Sequence, residues 1–263
     1  MGEFPEPDLS STEDRRLVEI AEQTIWLGCA AYGADSDVVV GERWFQTGFP
    51  YVGLNGVLVA AEPIDVSSIL DRFRVRRLPM LWHLGPSSQA GLEAELTAAG
   101  CRFEEEEPIM VSDLKAPRVP LQPPPGLQIL QVEDSSGLAE FVRIWMDTDE
   151  QDAVAQLIRL RSATGYGPKA SFEHLLGVLD GVPVACAAAF HGPEASEVQH
   201  VVTTWSARRR GIGAAMTSAV IARIRMRGAR TAVLTASPDG AGIYGELGFR
   251  PVGTVRRYAW LPT

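Results

Sequence analysis

Five prolines fall within the twelve residues Lys115–Gly126 (KAPRVPLQPPPG). Proline removes a backbone donor and fixes φ, so neither a helix interior nor a central strand runs through such a segment. It reads as a stiff, semi-extended linker at 115–126, dividing the chain into domains 1–114 and 127–263. With domains of roughly 100–200 residues, a chain of 263 accommodates both. An internal echo spans the divide. PMLWHL, a Ser/Pro turn, GLEAELTAAGC and EEEEPIMVSDL precede the linker, while TAVLTAS, a Pro/Gly turn, AGIYGELGF and VGTVRRYAWLP end the chain. Both follow the order strand, turn, short helix, Gly, strand, so the halves read as copies of one fold. Aligning Gly100 with Gly248 sets Leu96 opposite Tyr244.

Local patterns fill in the elements. Leu17, Ile20, Ala21, Thr24 and Ile25 keep a helical spacing behind Ser11, which predicts a helix over 12–30. In 51–61, Asn55-Gly56 marks a tight turn or a bulge. Asp65 caps a helix over 66–73. Pro79–Leu84 is a buried strand, Ala90–Ala99 a helix ended by Gly100, and Ile109–Leu114 a strand with Pro108 at its start. After the linker come a strand at 127–132 and a helix at 135–146. Thr148 and Gln151 form a capping-box pattern for a helix over 149–162. Strands follow at 171–179, 182–191 and 196–204, the first two joined by Asp180-Gly181, a hairpin signal. A helix over 211–227, a strand over 230–236, a short helix capped by Ser237 before Pro238, and strand material over 249–260 complete the chain.

Composition narrows the function classes. A formal charge of −9 argues against nonspecific nucleic-acid binding and favours a cationic substrate. Three scattered cysteines (Cys29, Cys101, Cys186) fit neither a disulfide framework nor a zinc pattern. The N-terminus lacks the basic and apolar regions of a signal peptide, and no apolar run approaches the roughly 20 residues that span a bilayer. The expectation is a cytoplasmic protein without bound metal, acting away from membranes, as a monomer or homodimer.

The chemistry concentrates at Thr203–Met216 (TTWSARRRGIGAAM). A strand leads into a turn of arginines and glycines that opens into a helix. Such a junction points unpaired N–H groups at one spot, and glycines let a ligand approach the backbone. It suits a pyrophosphate or another dense anion, although a solvated basic turn has the same composition.

Residues 126–263 resemble the GCN5-related N-acetyltransferase (GNAT) family. The motifs are Arg208-x-x-Gly211-x-Gly213 at the strand-to-helix turn and Ser237-x6-Tyr244-x3-Gly248-Phe249, within a β-α-α-β-β-β-α-β-α-β order. The first half resembles a degenerate, weaker repeat without the Arg-Gly turn. The resemblance implies an α/β (α+β) fold class with two GNAT-like domains. Each would be a mixed, mostly antiparallel sheet flanked by helices, splayed at a cofactor cleft in the C-terminal one.

The resemblance also implies roles. Acetyl-CoA would be the co-substrate. Its pyrophosphate would meet the amides of Arg209, Arg210, Gly211, Ile212, Gly213 and Ala214, supported by Arg208 and Arg210. Its pantetheine would pair with the backbone of Val201, Val202 and Thr203. Ser237 stands where the family often has Asn. Tyr244 would be the general acid for the departing thiolate, since a phenol near pKa 10 is protonated at neutral pH; a core tyrosine is the plain alternative. For the base, Glu197 is preferred over His200, with His174 and His191 behind, and the absence of a dedicated base stands level with Glu197. Strict alternation would set Glu197, Gln199 and Val201 on one face, unless a bulge intervenes. Asp147, Asp149, Glu150, Asp152 and Trp145 lie where the acceptor would bind, although acids in a first helical turn also follow from the helix dipole. Glu104–Glu107 reads as a solvated strand start. The expected activity is acetyl transfer to the amine of a small molecule by direct attack. A non-catalytic acyl-CoA-binding regulator and an acyltransferase or decarboxylase of other specificity remain open.

Overall fold

The computed structural model describes residues 11–31, 39–40, 44–58, 64–115 and 121–262. Residues 1–10 and part of the linker, 116–120, lie outside them. In chain order the elements are α1 (Thr12–Ala30), β1 (Val39–Val40), β2 (Trp44–Gln46), β3 (Asn55–Leu58), α2 (Val66–Arg76), β4 (Met80–Leu84), α3 (Leu92–Ala98) and β5 (Arg102–Asp113). Then come β6 (Leu127–Gln131), α4 (Ser135–Met146), α5 (Gln151–Ser162), β7 (Phe172–Leu179), β8 (Val182–His191), β9 (Ser196–Thr203), α6 (Ile212–Met226), β10 (Thr231–Thr235), α7 (Ala241–Glu246) and β11 (Arg250–Trp260). The chain forms two compact units, each discontinuous. One comprises Met1–Met110, Thr235–Ala241 and Pro251–Thr263; the other comprises Val111–Leu234 and Gly242–Arg250.

In the first unit α1 starts where Ser11 Oγ accepts the Asp14 amide, and α2 where Asp65 accepts from Ser67 and Ser68. Arg77, at φ 52, closes α2 in the left-handed region. β3 and β4 run parallel, and β11 pairs antiparallel with β4 from Arg256↔Leu84 to Trp260↔Met80. Leu70, Phe73, Met80, Trp82, Leu92 and Leu96 form the core, and β11 adds Tyr258 and Trp260. Burying each such side chain contributes about 1.5–3 kcal/mol.

Long-range pairing overturns three local expectations here. Asn55-Gly56 is no turn: it opens β3, and the Asn55 side chain donates to Phe49, Tyr51 and Pro79 carbonyls while accepting the Thr47 amide. Pro108 lies inside β5, which begins at Arg102. The acidic run is not simply solvated. Glu105 and Glu107 accept from Arg257 at 2.8 and 2.6 Å, and Arg256 reaches Glu106 at 3.1 Å. The arginines of β11 thus offset the repulsion that would keep these glutamates out of a strand.

In the second unit the strand order is β6-β7-β8-β9-β10, with β6 to β9 antiparallel and β10 parallel to β9. Asp180 (φ 50) and Gly181 (φ 85) make the expected tight hairpin between β7 and β8. Helix α6 packs closely on β7: a Cβ on Gly177 would lie 2.9 Å from Met216 Sδ. The capping box before α5 does not form. Glu150 is its N-cap without a side-chain bond, and Thr148 Oγ1 instead accepts the Glu150 amide.

Candidate functional site

The second unit contains a strand that loses partners on one side. β10 pairs with β9 at Ala232↔Ser196 and Val233↔Glu197, and the pairing ends there. β8 stays with β9 as far as Ala185↔Thr203. Backbone groups of Val201, Val202 and Thr203 therefore face β8 along one edge and have no β10 partner along the other. β9 also carries a bulge. Gln199 sits opposite Ala188 and Val202 opposite Cys186, so His200 and Val201 share Ala187. His200 is in the left-handed region at φ 53. The alternation argument therefore holds only up to Gln199: Glu197 and Gln199 share a face, with Gln199 Nε2 donating to Glu197 Oε2 at 2.5 Å, while Val201 no longer follows them.

Beyond Thr203 a 3-10 turn, Trp205–Ala207, leads to the arginines. Arg208, Arg209 and Arg210 are exposed. Arg208 Nε donates to the Thr203 carbonyl at 3.2 Å and its guanidinium lies 4.9 Å over the Trp205 ring, so it braces the turn. Arg209 (φ 60) and Gly211 (φ 77) reverse the chain. Gly211 is the N-cap of α6 and has no side chain to cap it, which leaves the first-turn amides to point outward. Among the described residues, nothing in the packing requires glycine at 213. A Cβ there would find nothing nearer than Thr203 Oγ1 at 3.8 Å, and its φ is not positive. A junction of this shape accepts a multiply charged anion.

Behind the bulge lies a buried cluster that the sequence reading missed. Arg161, 0% exposed, ends α5 with Nη2 2.6 Å from His200 Nε2. Its guanidinium lies 4.6 Å over Trp145 and 5.1 Å over Phe172. Trp145 also stands 4.3 Å from the His200 ring, and Phe141 4.8 Å from His174. The signal was present: Val154, Leu157 and Arg161 form one helical stripe, and all three are buried. Burial, and then the Arg161 charge, pushes His174 down to about 3 and His200 well below its ordinary value. Both imidazoles are neutral at physiological pH, and His200 Nε2 accepts from Arg161, so that nitrogen does not take a substrate proton.

Glu197 is buried at 6% exposure at the near end of β9. His191 lies elsewhere, with Nε2 3.1 Å from Glu173 and Nδ1 3.2 Å from Ser196. Burial alone would raise the Glu173 carboxyl, but the bonds from His191 and Arg227 hold it below its usual range. Ser196 is 1% exposed, which makes this a structural network without an accessible nucleophile. Asp147, Asp149, Glu150 and Asp152 are exposed around the α4–α5 connection, while Trp145 is half-buried against the bulge. Asp147 itself is the left-handed C-cap of α4, at φ 47.

Tyr244, in the part of α7 that belongs to the second unit, is half-buried, with Phe249 edge-on at 6.1 Å. Its carbonyl accepts the Phe249 amide. Ser237 belongs to the first unit, is exposed and is not a helix cap. Its carbonyl accepts Gly240 and Ala241 amides in a turn, and α7 starts only at Ala241. Among the described residues no helix is long and apolar enough to cross a membrane.

Comparison with known proteins places this geometry. Residues 159–263 match the family model of the acetyltransferase (GNAT) domain. Among solved structures, the chain is similar to a GCN5-related N-acetyltransferase from Kribbella flavida, with a TM-score of 0.69, 22% identity, and coverage of 91% of this chain and 95% of that one. A GCN5-related N-acetyltransferase from Sphaerobacter thermophilus gives a TM-score of 0.55 at 18% identity, covering 74% of this chain and 64% of that one. A tandem GNAT protein from the clavulanic acid biosynthesis pathway gives 0.51 at 13% identity, covering 70% and 64%. At such identities the likeness is one of fold. Among curated proteins none matched the chain.

Proposed function

We propose, from the premise that residues 159–263 are an acetyltransferase domain of the GNAT family, that this protein transfers an acetyl group from acetyl-CoA to the amine of a small molecule. The observation that carries the reading is the uncapped start of α6 behind three exposed arginines, with a glycine at 213 that packing does not require. These features fit a CoA pyrophosphate: the amides of Arg209 through Ala214 would hold it, with Arg209 and Arg210 adding charge-assisted bonds. The free edge of Val201–Thr203 would take the pantetheine as an added strand. Bound there, acetyl-CoA supplies an activated thioester for direct attack by the amine.

The chain's own groups then act at stated atoms. A β9 backbone N–H faces the developing oxyanion. The Tyr244 phenol donates a proton to the departing thiolate sulfur. Glu197 accepts the proton of the attacking amine through water, since its carboxylate is nearly enclosed. Between Glu197 and His200 it is the base we retain, because Arg161 engages His200. The net charge of −9 and the carboxylates near Trp145 favour a cationic amine. The first unit is read as a degenerate copy that binds no second CoA. Three free thiols suit a cytoplasmic setting.

The test is calorimetry with acetyl-CoA followed by thiol release across a panel of amines. Tyr244→Phe is expected to bind acetyl-CoA as the native protein does and to lose about 10²–10⁴-fold in turnover. Full turnover in that variant removes the general-acid role. Tight acetyl-CoA binding with no thiol release from any amine would instead favour a regulatory acyl-CoA binder.

A further inference from the structure

We infer that the Arg161–His200 contact is a positioning latch that holds the β9 bulge and thereby sets the backbone of Val201–Thr203. The inference rests on the proposal that this backbone receives acyl-CoA, and it assigns Arg161 a role that none of the motifs contains. A residue with a side chain in the left-handed region is strained, so a bulge placed on histidine needs support from its surroundings.

His200 is supported on several sides. Arg161 Nη2 donates to its Nε2 at 2.6 Å, Trp145 lies 4.3 Å from its ring, and the Cys186 thiol, from the facing strand β8, donates to its carbonyl at 3.5 Å. Arg161 is itself clamped between Trp145 and Phe172 and is fully buried. Helix α5 therefore dictates, through one guanidinium, where β9 departs from regular pairing. Without the latch, β9 gains by relaxing toward an unbulged register. That slip would turn the side chains and amides of Val201–Thr203 to opposite sides. The neutral imidazole suits this role, because only the neutral ring can accept on Nε2.

The latch and a merely structural core arginine make different predictions. Arg161→Met should weaken acetyl-CoA binding by about tenfold or more, a step of roughly 1.4 kcal/mol in affinity, and speed amide hydrogen exchange over residues 199–203. Arg161→Lys, which keeps a donor, should recover part of both. His200→Gly adopts the left-handed conformation without help, so it should bind acetyl-CoA within about threefold of the native protein. The Arg161→Met/His200→Gly pair should bind better than Arg161→Met alone. His200→Val, which resists the left-handed region, should lose binding even with Arg161 present.

The idea is overturned if His200→Gly loses as much as His200→Val, or if the double variant is no better than Arg161→Met. Unchanged exchange over 199–203 in Arg161→Met overturns it as well. If the native protein binds no acetyl-CoA, the cofactor proposal falls, and the exchange arm still decides the latch.

Discussion

Two turns in this protein each join a strand to a helical segment, and they are filled in opposite ways. In the first unit, Gly85–Ser88 follows β4, and Glu22 from α1 reaches into it. Its carboxylate, on a residue 5% exposed, accepts the Ser87 amide at 3.2 Å, and a Cβ on Gly85 would fall 2.1 Å from Glu22 Oε1. The chain supplies its own carboxyl group there. In the second unit, Arg208–Gly211 follows β9, the N-cap Gly211 has no side chain to cap α6, and among the described residues Gly213 has room for a Cβ. One glycine serves packing within the fold. The other meets no packing need among the described residues, which is what the proposed anion site requires.

The largest expected effect comes from reversing charge at the open turn. Arg209→Glu/Arg210→Glu should weaken acetyl-CoA binding by about 100-fold, from the loss of two charge-assisted bonds. Both side chains are exposed, so the melting temperature should barely move. Calorimetry beside a thermal melt reads both. Unaltered affinity would make the two turns equivalent and end the comparison.

Next, the two glycines should respond in opposite senses to alanine. Gly85→Ala should destabilise the fold by about 1–3 kcal/mol through overpacking against Glu22, with acetyl-CoA affinity unchanged. Gly213→Ala should stabilise the fold by up to about 1 kcal/mol, because alanine is the better helix former. It should nonetheless weaken acetyl-CoA binding by about tenfold, as a methyl group enters the space a ligand needs. Denaturant titrations of both variants beside their affinities decide this, and a Gly213→Ala protein that binds normally would remove the ligand explanation for that glycine.

The smallest effect is read as a sign. Burial raises the Glu22 carboxyl above its ordinary value, and the Ser87 bonds only partly oppose this. A carboxyl raised in the folded state stabilises the fold least once it is ionised. The native protein should therefore lose stability as pH rises from the ordinary carboxyl value through the folded one. Glu22→Gln does not titrate, so the difference in melting temperature between variant and native protein should move in the variant's favour from pH 4 to pH 7. A difference that moves the other way would show that the Ser87 bonds outweigh burial.

What could be read in advance depended on distance along the chain. Ser11 and Asp65 cap their helices through bonds two or three residues away, and Asp180-Gly181 needs only its own dihedrals, so all three were legible. Thr148 and Ser237 looked equally good as caps and are not, because a cap also depends on where the following chain is carried. The full length of the acidic strand β5 is not legible locally, because its glutamates find Arg256 and Arg257 only through pairing with a strand roughly 150 residues later. Arg161 carried a hint in its place on the apolar stripe of α5, but arginine near a helix C-terminus is also what the helix dipole favours in solvent.

The sequence by itself determined the local grammar of this protein: the Arg-Gly turn, the helix that follows it, the hairpin, and the match of residues 159–263 to the GNAT domain model. Only the tertiary structure decided that β9 breaks at His200, that its far half loses β10 as a neighbour, and that a buried guanidinium from α5 holds the break. The physical reason is that a bulge in the left-handed region is unfavourable for histidine taken alone. Its sign is set by groups that the fold, not the neighbouring sequence, brings within hydrogen-bonding distance.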